Sequence, residues 1–224
     1  MQFAYFVGCL IFLSVWILFF ALRKDLRKEI IFGSLLAMPF GLAESLWVPE
    51  YWNPLSLFNL ISKYGVGIES FLFCFICGGV AAVIYEIIAK KRIVKIQGRR
   101  KLLFGPYIFI ILFFLFLEFI FPEKTIYSAV ISLLIGATII AFRRKDLIIQ
   151  IIFGGIFFTI VYFFLFYIFT KIYPDYIYSV YSLENMLGIM ILGVPLEEIL
   201  VSFGAGAIWS SFYEYIMGYR VRGV

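Results

Sequence analysis

Arg23-Lys24-Asp25-Leu26, followed by Ile30-Ile31-Phe32-Gly33, returns 121 residues later as Arg144-Lys145-Asp146-Leu147 and Ile151-Ile152-Phe153-Gly154. Eight of the eleven positions from Arg23 to Gly33 are identical in the second copy. Further on, Gly65-Val66-Gly67-Ile68-Glu69 returns as Gly193-Val194-Pro195-Leu196-Glu197. Both copies then run through Leu72/Leu200, Phe75/Phe203 and Gly78/Gly206 to Tyr85-Glu86 and Tyr213-Glu214, at an offset of 128. The seven-residue difference falls between the two stretches. Self-similarity at a fixed offset is read before anything else, because it fixes the architecture.

The copies lie in a very apolar chain. Of its 224 residues 64% are hydrophobic and only 15% charged, against about 45–50% and about 25% in soluble domains. That excess cannot be hidden in a water-soluble core, so an integral membrane protein is expected. A spanning helix needs about 20 mostly apolar residues. Seven such stretches are read at 3–22, 30–48, 66–89, 102–121, 125–142, 147–170 and 194–217. No basic residue precedes the first, so it reads as a retained span rather than a cleaved signal. The expected fold is all-α, with seven transmembrane helices in a 3+1+3 parallel tandem repeat. Residues 1–89 form one unit, 90–124 a basic loop and linker helix, and 125–224 the second unit. A single linker helix leaves both units in the same orientation, with a shared cavity between them.

The 19 basic residues are sided. Loops after spans one, three and five, with the tail, hold 16 of them, and the opposite face only Lys63, Lys124 and Lys171. By the positive-inside rule this multi-pass protein of the cell membrane has its amino terminus outside and its carboxyl terminus in the cytoplasm. The positive balance orients the chain in lipid and gives no reason to expect nucleic acid. Histidine is absent, which excludes His-based acid–base work, His-ligated zinc and His-ligated haem. Cys74-Phe75-Ile76-Cys77 has no second CxxC to complete a metal site, so the cysteines read as small apolar residues. No metal and no cofactor is expected.

Glutamates stand out instead. Glu44, Glu69, Glu86, Glu118, Glu197, Glu198 and Glu214 lie in or at the ends of spans, with no lysine or arginine inside a span to pair with them. Asp at the centre of a spanning helix costs about 2.5–3.5 kcal/mol on translocon scales. Acids held there are expected to be partly protonated, and a protonated buried acid is a proton donor. Glu86 and Glu214 sit near the cytoplasmic ends, within reach of headgroups or basic loops. The other five lie toward the outer half, where Glu69 and Glu197 occupy matching positions. Glu197 and Glu198 are about 100° apart on a helix, so only one points straight at a shared cavity. Pro195 fits the first turn of that helix. Trp47-Val48-Pro49-Glu50-Tyr51-Trp52-Asn53-Pro54 reads as an interfacial aromatic anchor that also lies near Glu44 and Glu69. Gly78-Gly79 and Gly204-Ala205-Gly206 permit close helix approach.

Pro195-Leu196-Glu197-Glu198, followed by an apolar helix, resembles the PxEE motif of the lycopene cyclase domain family. These are integral-membrane carotenoid cyclases whose unit is a three-span domain, fused in pairs in archaeal-type members. Tyr51-Trp52-Asn53-Pro54 is similar to the family's aromatic-proline approach to the motif. The first unit departs from it, with Gly67-Ile68-Glu69-Ser70 in place of a second PxEE. The resemblance implies cyclisation of the end group of a linear carotenoid or isoprenoid, a net isomerisation: an acid protonates an alkene, the cation closes a ring, and a base removes a proton. That chemistry needs carboxyl groups in a dry site and no redox change. It implies Glu197 as acid, Glu69 or Glu198 as base and Glu44 shaping the site. Tyr51, Trp52, Asn53, Pro195, Phe75 and Phe203 would contact substrate. The partners it implies are the lipophilic substrate and membrane lipids, with room for a homo-oligomer or association with other carotenoid enzymes.

Two other classes fit parts of the pattern. A 3+1+3 plan with an outside amino terminus is also similar to SWEET-type sugar transporters, although the span interiors hold few Asn, Gln or Ser. A non-catalytic isoprenoid-binding protein would share every apolar feature. A retinal protein is excluded, because the seventh span has no lysine for a Schiff base.

Overall fold

A computed structural model describes residues 3–95 and 104–223. Its long helices are α1 (Ala4–Leu22), α2 (Arg27–Ala37), α5 (Ile68–Ile88), α6 (Gly105–Ile120), α7 (Thr125–Arg143), α8 (Ile148–Ile172) and α10 (Leu196–Met217). Short helices α3 (Glu44–Trp47), α4 (Leu60–Tyr64) and α9 (Tyr176–Val180) lie in the connections. Strands β1 (Lys91–Lys95) and β4 (Tyr219–Gly223) pair antiparallel, as do β2 (Met190–Ile191) and β3 (Val194–Pro195). The expected start of the fourth span at 102 and the end of the basic loop at 96–101 lie outside the described residues.

Five stretches are long and apolar enough to cross a membrane: Ala4–Leu22, Lys24–Trp47, Ile68–Ile88, Pro122–Arg143 and Lys145–Ile172. α6 is apolar but has 16 residues. α10 has 22 residues and carries Glu197, Glu198, Glu214 and three serines, nearly all buried. It is the polar axis of the bundle, packed on α5, α7 and α8. The second stretch is not one regular helix. α2 stops at Ala37, and a 3₁₀ segment, Met38–Ala43, carries the chain to α3. Pro39 lacks the N–H that would continue the α-helical ladder. The outside of the bundle is apolar: Phe119 is 88% exposed and Phe142 77% exposed, as expected of a surface solvated by lipid.

Helix pairs α2–α5 and α8–α10 meet across glycines. A Cβ on Gly33 would lie 2.7 Å from the Gly78 carbonyl oxygen, and one on Gly78 2.6 Å from that of Gly33. A Cβ on Gly154 would lie 3.3 Å from the Gly206 carbonyl oxygen, and one on Gly206 2.7 Å from that of Gly154. Backbones approach this closely in lipid only where the side chain is a hydrogen.

The repeated Arg-Lys-Asp-Leu stretches also make matching contacts. Arg23 Nε and Nη2 donate to Asp25 Oδ1 and Oδ2 at 2.9 and 2.8 Å, and Arg144 holds Asp146 in the same fork, both bonds at 2.9 Å. Arg23 Nη1 also donates to the Glu86 backbone oxygen at 3.3 Å and Nη2 to that of Lys91 at 3.0 Å. Arg144 treats Glu214 and Tyr219 likewise, at 3.0 and 2.7 Å. Each guanidinium thus satisfies carbonyls left over at the end of a helix, α5 or α10. Trp209 Nε1 of α10 donates to Gly33 O of α2 at 3.2 Å, and the Tyr107 hydroxyl of α6 donates to Leu36 O of α2 at 2.9 Å.

Gly78→Val is expected to destabilise the bundle by about 1–3 kcal/mol, the usual cost of overpacking, because its Cβ would lie 2.2 Å from the Ala37 Cβ. Gly105→Ala is expected to be neutral, its nearest neighbour being Arg143 Nη1 at 3.7 Å. Thermal unfolding in detergent reads both; equal midpoints for the two variants would contradict the close approach.

Candidate active site

Between the two sets of helices lies a cavity of about 240 Å³ with an apolar lining. Two carboxyl groups reach its wall, Glu44 from α3 and Glu198 from the first turn of α10. Each residue is 6% exposed.

Glu198 meets three hydroxyls. Tyr51 and Tyr181 donate to Oε1 at 2.9 and 2.8 Å, and Tyr162 donates to Oε2 at 2.5 Å. Tyr162 comes from α8, while Tyr51 and Tyr181 come from the chain after α3 and after α9. Pairing of those two connections sets the ring positions. Asn53 N donates to Val180 O at 2.7 Å, Ser182 N to Tyr51 O at 2.9 Å, and Trp52 forms an isolated β-bridge with Tyr181. Hydrogen bonds to a charged acceptor are roughly twice as strong as neutral ones, so three in one apolar enclosure hold the carboxyl group in a single orientation.

Glu44 is less satisfied. Its Oε2 accepts the Gly67 N–H at 3.3 Å, and Oε1, with Tyr5 beside it, has no hydrogen bond among the described residues. Aromatic rings complete the lining. Tyr5 meets Trp52 edge-on with centroids 4.9 Å apart, and Phe12 meets Phe73 and Tyr162 at 5.3 and 5.2 Å. Aromatic faces attract a cation by about 2 kcal/mol or more once water is excluded.

Glu69 and Glu197 lie off the cavity and brace the outer connections. Glu69 Oε1 accepts the Leu57 N–H at 2.6 Å, and Glu197 Oε1 accepts the Leu187 N–H at 2.7 Å together with the Tyr127 hydroxyl at 2.8 Å. The matched positions in the two copies thus make matched contacts, each acid tying down the loop that precedes its helix. Among the other residues singled out from sequence, Tyr51 and Trp52 line the cavity. Pro195 is buried at the start of α10, Asn53 is exposed, Phe75 packs on Trp16, and Phe203 packs over Gly155. Glu118 accepts the Thr125 hydroxyl at 2.7 Å, away from the site. Glu86 and Glu214, expected within reach of headgroups or basic loops, are fully buried, and Arg23 and Arg144 meet their backbone oxygens rather than their carboxyl groups. Tyr5, Tyr162 and Tyr181 were not anticipated. The available signal was the count of fifteen tyrosines, the only hydroxyl-bearing aromatic, in a chain without histidine.

Fold and site together define a helical membrane protein with a carboxyl-bearing apolar cavity. Residues 124–216, from just before α7 to the end of α10, match the family model described as lycopene cyclase. That stretch, which includes Tyr162, Tyr181 and Glu198, is thus similar to the lycopene cyclase family. No curated protein and no solved structure matches the chain.

Glu197→Leu removes the acceptor for two part-buried donors, Leu187 N and the Tyr127 hydroxyl, and each such hydrogen bond contributes about 0.5–1.5 kcal/mol. A lower unfolding midpoint and faster proteolysis within residues 183–195 are expected. An unchanged midpoint would show that Glu197 does not brace that loop.

Proposed function

We propose that this protein is a membrane cyclase that closes a ring at the end of a linear carotenoid or related isoprenoid by acid–base catalysis, without redox chemistry. The observation that carries this reading is the placement of two carboxyl groups, Glu44 and Glu198, on one apolar, aromatic-lined cavity, within a chain whose second half matches the lycopene cyclase family. Protonation of an alkene needs a carboxylic acid in a dry site, and completion of the ring needs a second carboxylate to take a proton. Glu198 already accepts three hydroxyl donors and is equipped as the proton acceptor and counter-charge. Glu44, which has Tyr5 beside it and whose Oε1 has no hydrogen bond among the described residues, is the donor. Phe12, Phe73 and Tyr162 offer ring faces to the intermediate cation. A cavity of about 240 Å³ takes an end group while the polyene extends along the bundle.

The same reading gives the chain seven spans in a 3+1+3 parallel repeat, with units at 1–89 and 125–224. The matched glycine approaches, arginine forks and loop-bracing glutamates support it. α6, with 16 residues, extends about 24 Å at 1.5 Å per residue, close to the hydrocarbon thickness of about 30 Å. The basic loops face the cytoplasm and the tyrosine–glutamate site lies toward the outer leaflet. Lipid and the isoprenoid are the partners. A transport role is less well supported, because a transporter needs a polar path and the cavity is lined almost wholly by apolar side chains.

Expression in lycopene-accumulating bacteria, with chromatography of extracted pigments, tests the activity. Monocyclic or bicyclic carotenes are expected. Glu198→Gln and Glu44→Gln are each expected to lower ring formation by about 10²–10⁴-fold, the usual contribution of a positioned acid or base, whereas Glu197→Gln retains most of it. Unchanged lycopene with wild-type protein folded in the membrane would remove lycopene as substrate; full activity in Glu198→Gln would remove its assigned role.

A further inference from the structure

About 24 Å from Glu198 along α10, at 1.5 Å per residue over the intervening sixteen residues, a second group of acids closes the other end of the bundle. Glu29 of α2, Glu86 of α5 and Glu214 of α10 place carboxylate oxygens within 4.8 Å of one another. The three residues are 1%, 0% and 0% exposed. Glu29 is the position matched by Gln150 in the second copy, as Glu86 is matched by Glu214. The four side chains thus come from four helices, in corresponding pairs.

Gln150 supplies an independent observation. It is 3% exposed, and its Nε2 donates to Glu86 Oε1 at 2.8 Å and to the Ser210 backbone oxygen. Its Oε1 is buried and has no hydrogen bond among the described residues. The same holds for both oxygens of Glu29, both of Glu214 and Oε2 of Glu86. Neither oxygen of Glu214 meets hydrogen-bond geometry, although Gln150 and Glu29 lie beside it. Buried oxygens without donors are costly, and here several converge. The neighbouring cations are engaged elsewhere: Arg23 and Arg144 hold Asp25, Asp146 and backbone carbonyls. Tyr213, near Glu29 and Glu214, packs edge-on against Phe32 and Tyr219, and Tyr85, next to Glu86, stacks on Phe157.

We propose that Glu29, Glu86, Glu214 and the side-chain carbonyl of Gln150 bind a hard divalent cation, Mg²⁺ or Ca²⁺, that ties the two sets of helices together at the basic-loop end. Metal–oxygen bonds of roughly 2.0–2.6 Å set opposed ligand oxygens about 4–5 Å apart, which fits the observed spacing. An all-oxygen donor set selects Mg²⁺, Ca²⁺ or Mn²⁺ over softer metals. A set of ligands drawn from four helices, with each residue almost wholly buried, is a structural site. It is independent of the activity at the other end.

Mn²⁺ is the probe. Full-length protein in detergent, stripped with EDTA and dialysed, is titrated with Mn²⁺ and followed by electron paramagnetic resonance. One equivalent is expected, displaced by Mg²⁺ or Ca²⁺, with a higher unfolding midpoint when the site is loaded. Glu29→Gln and Glu214→Gln are expected to weaken Mn²⁺ binding by about tenfold or more, since affinity at oxygen sites follows ligand charge, and Glu118→Gln is expected to leave it unchanged. Location is read without touching the cluster: in a chain whose three cysteines are replaced by alanine, bound Mn²⁺ broadens a nitroxide at position 145 and leaves one at position 178 sharp. Absence of a stoichiometric Mn²⁺ in folded wild-type protein overturns the proposal, as would happen if shared protons held the acids together. Broadening at position 178 alone, or affinity indifferent to both glutamine variants, overturns it as well.

Discussion

A carboxyl group taken out of water calls for donors, and the outer end of this bundle is arranged around how three of its buried acids are met. Glu198 takes three tyrosine hydroxyls, Glu197 a backbone amide and a tyrosine, Glu69 a backbone amide. Those donors come from helices and connections far apart in sequence, so satisfying the acids also fixes which segments must meet. Tyr51 reaches across 147 positions to Glu198. The aromatic approach after α3 could not sit elsewhere without leaving that oxygen short of a partner. The polar character of α10, which lowers its mean hydropathy, follows from the same demand.

The two halves of the chain solve equivalent local problems with equivalent residues and then diverge where chemistry is at stake. Arg23 and Arg144 end their partner helices in the same way, and Gly33/Gly78 and Gly154/Gly206 bring helices together in the same way. Glu198 has Ser70 as its counterpart, and Ser70 accepts the Gly67 N–H at 3.1 Å, a helix-capping contact. One half thus keeps a carboxyl group at the cavity and the other spends the position on its own helix. The asymmetry also places Glu44 at the cavity from the first half only.

The all-helical, membrane-spanning character of the chain was legible because membrane helices announce themselves by length and apolarity. The expected spans 66–89, 125–142, 147–170 and 194–217 lie within a few residues of α5, α7, α8 and α10. The break after Ala37 was hidden inside a continuous apolar run, with Pro39 as its mark. The site was half legible. Two adjacent acids on one helix point about 100° apart, so sequence required that one face the cavity while the other turn aside. Which one does so depends on where Tyr51, Tyr162 and Tyr181 converge, and that is a property of tertiary packing. Glu29 escaped notice because it sits in a charged stretch, Arg27-Lys28-Glu29, that reads as a loop; its register with Gln150 was the clue.

Near the cavity, the connections following α3 and α9 are stitched by Asn53 to Val180, Ser182 to Tyr51 and Asn185 to Glu50; at the far end, β1 is paired with β4. Both ends of the bundle are therefore laced across. For the lipophilic substrate proposed above, entry between helices would be entry from the bilayer rather than from bulk water. The substrate's effective concentration is then a mole fraction in lipid. Adding empty vesicle membrane at fixed volume would dilute it, while adding buffer would not.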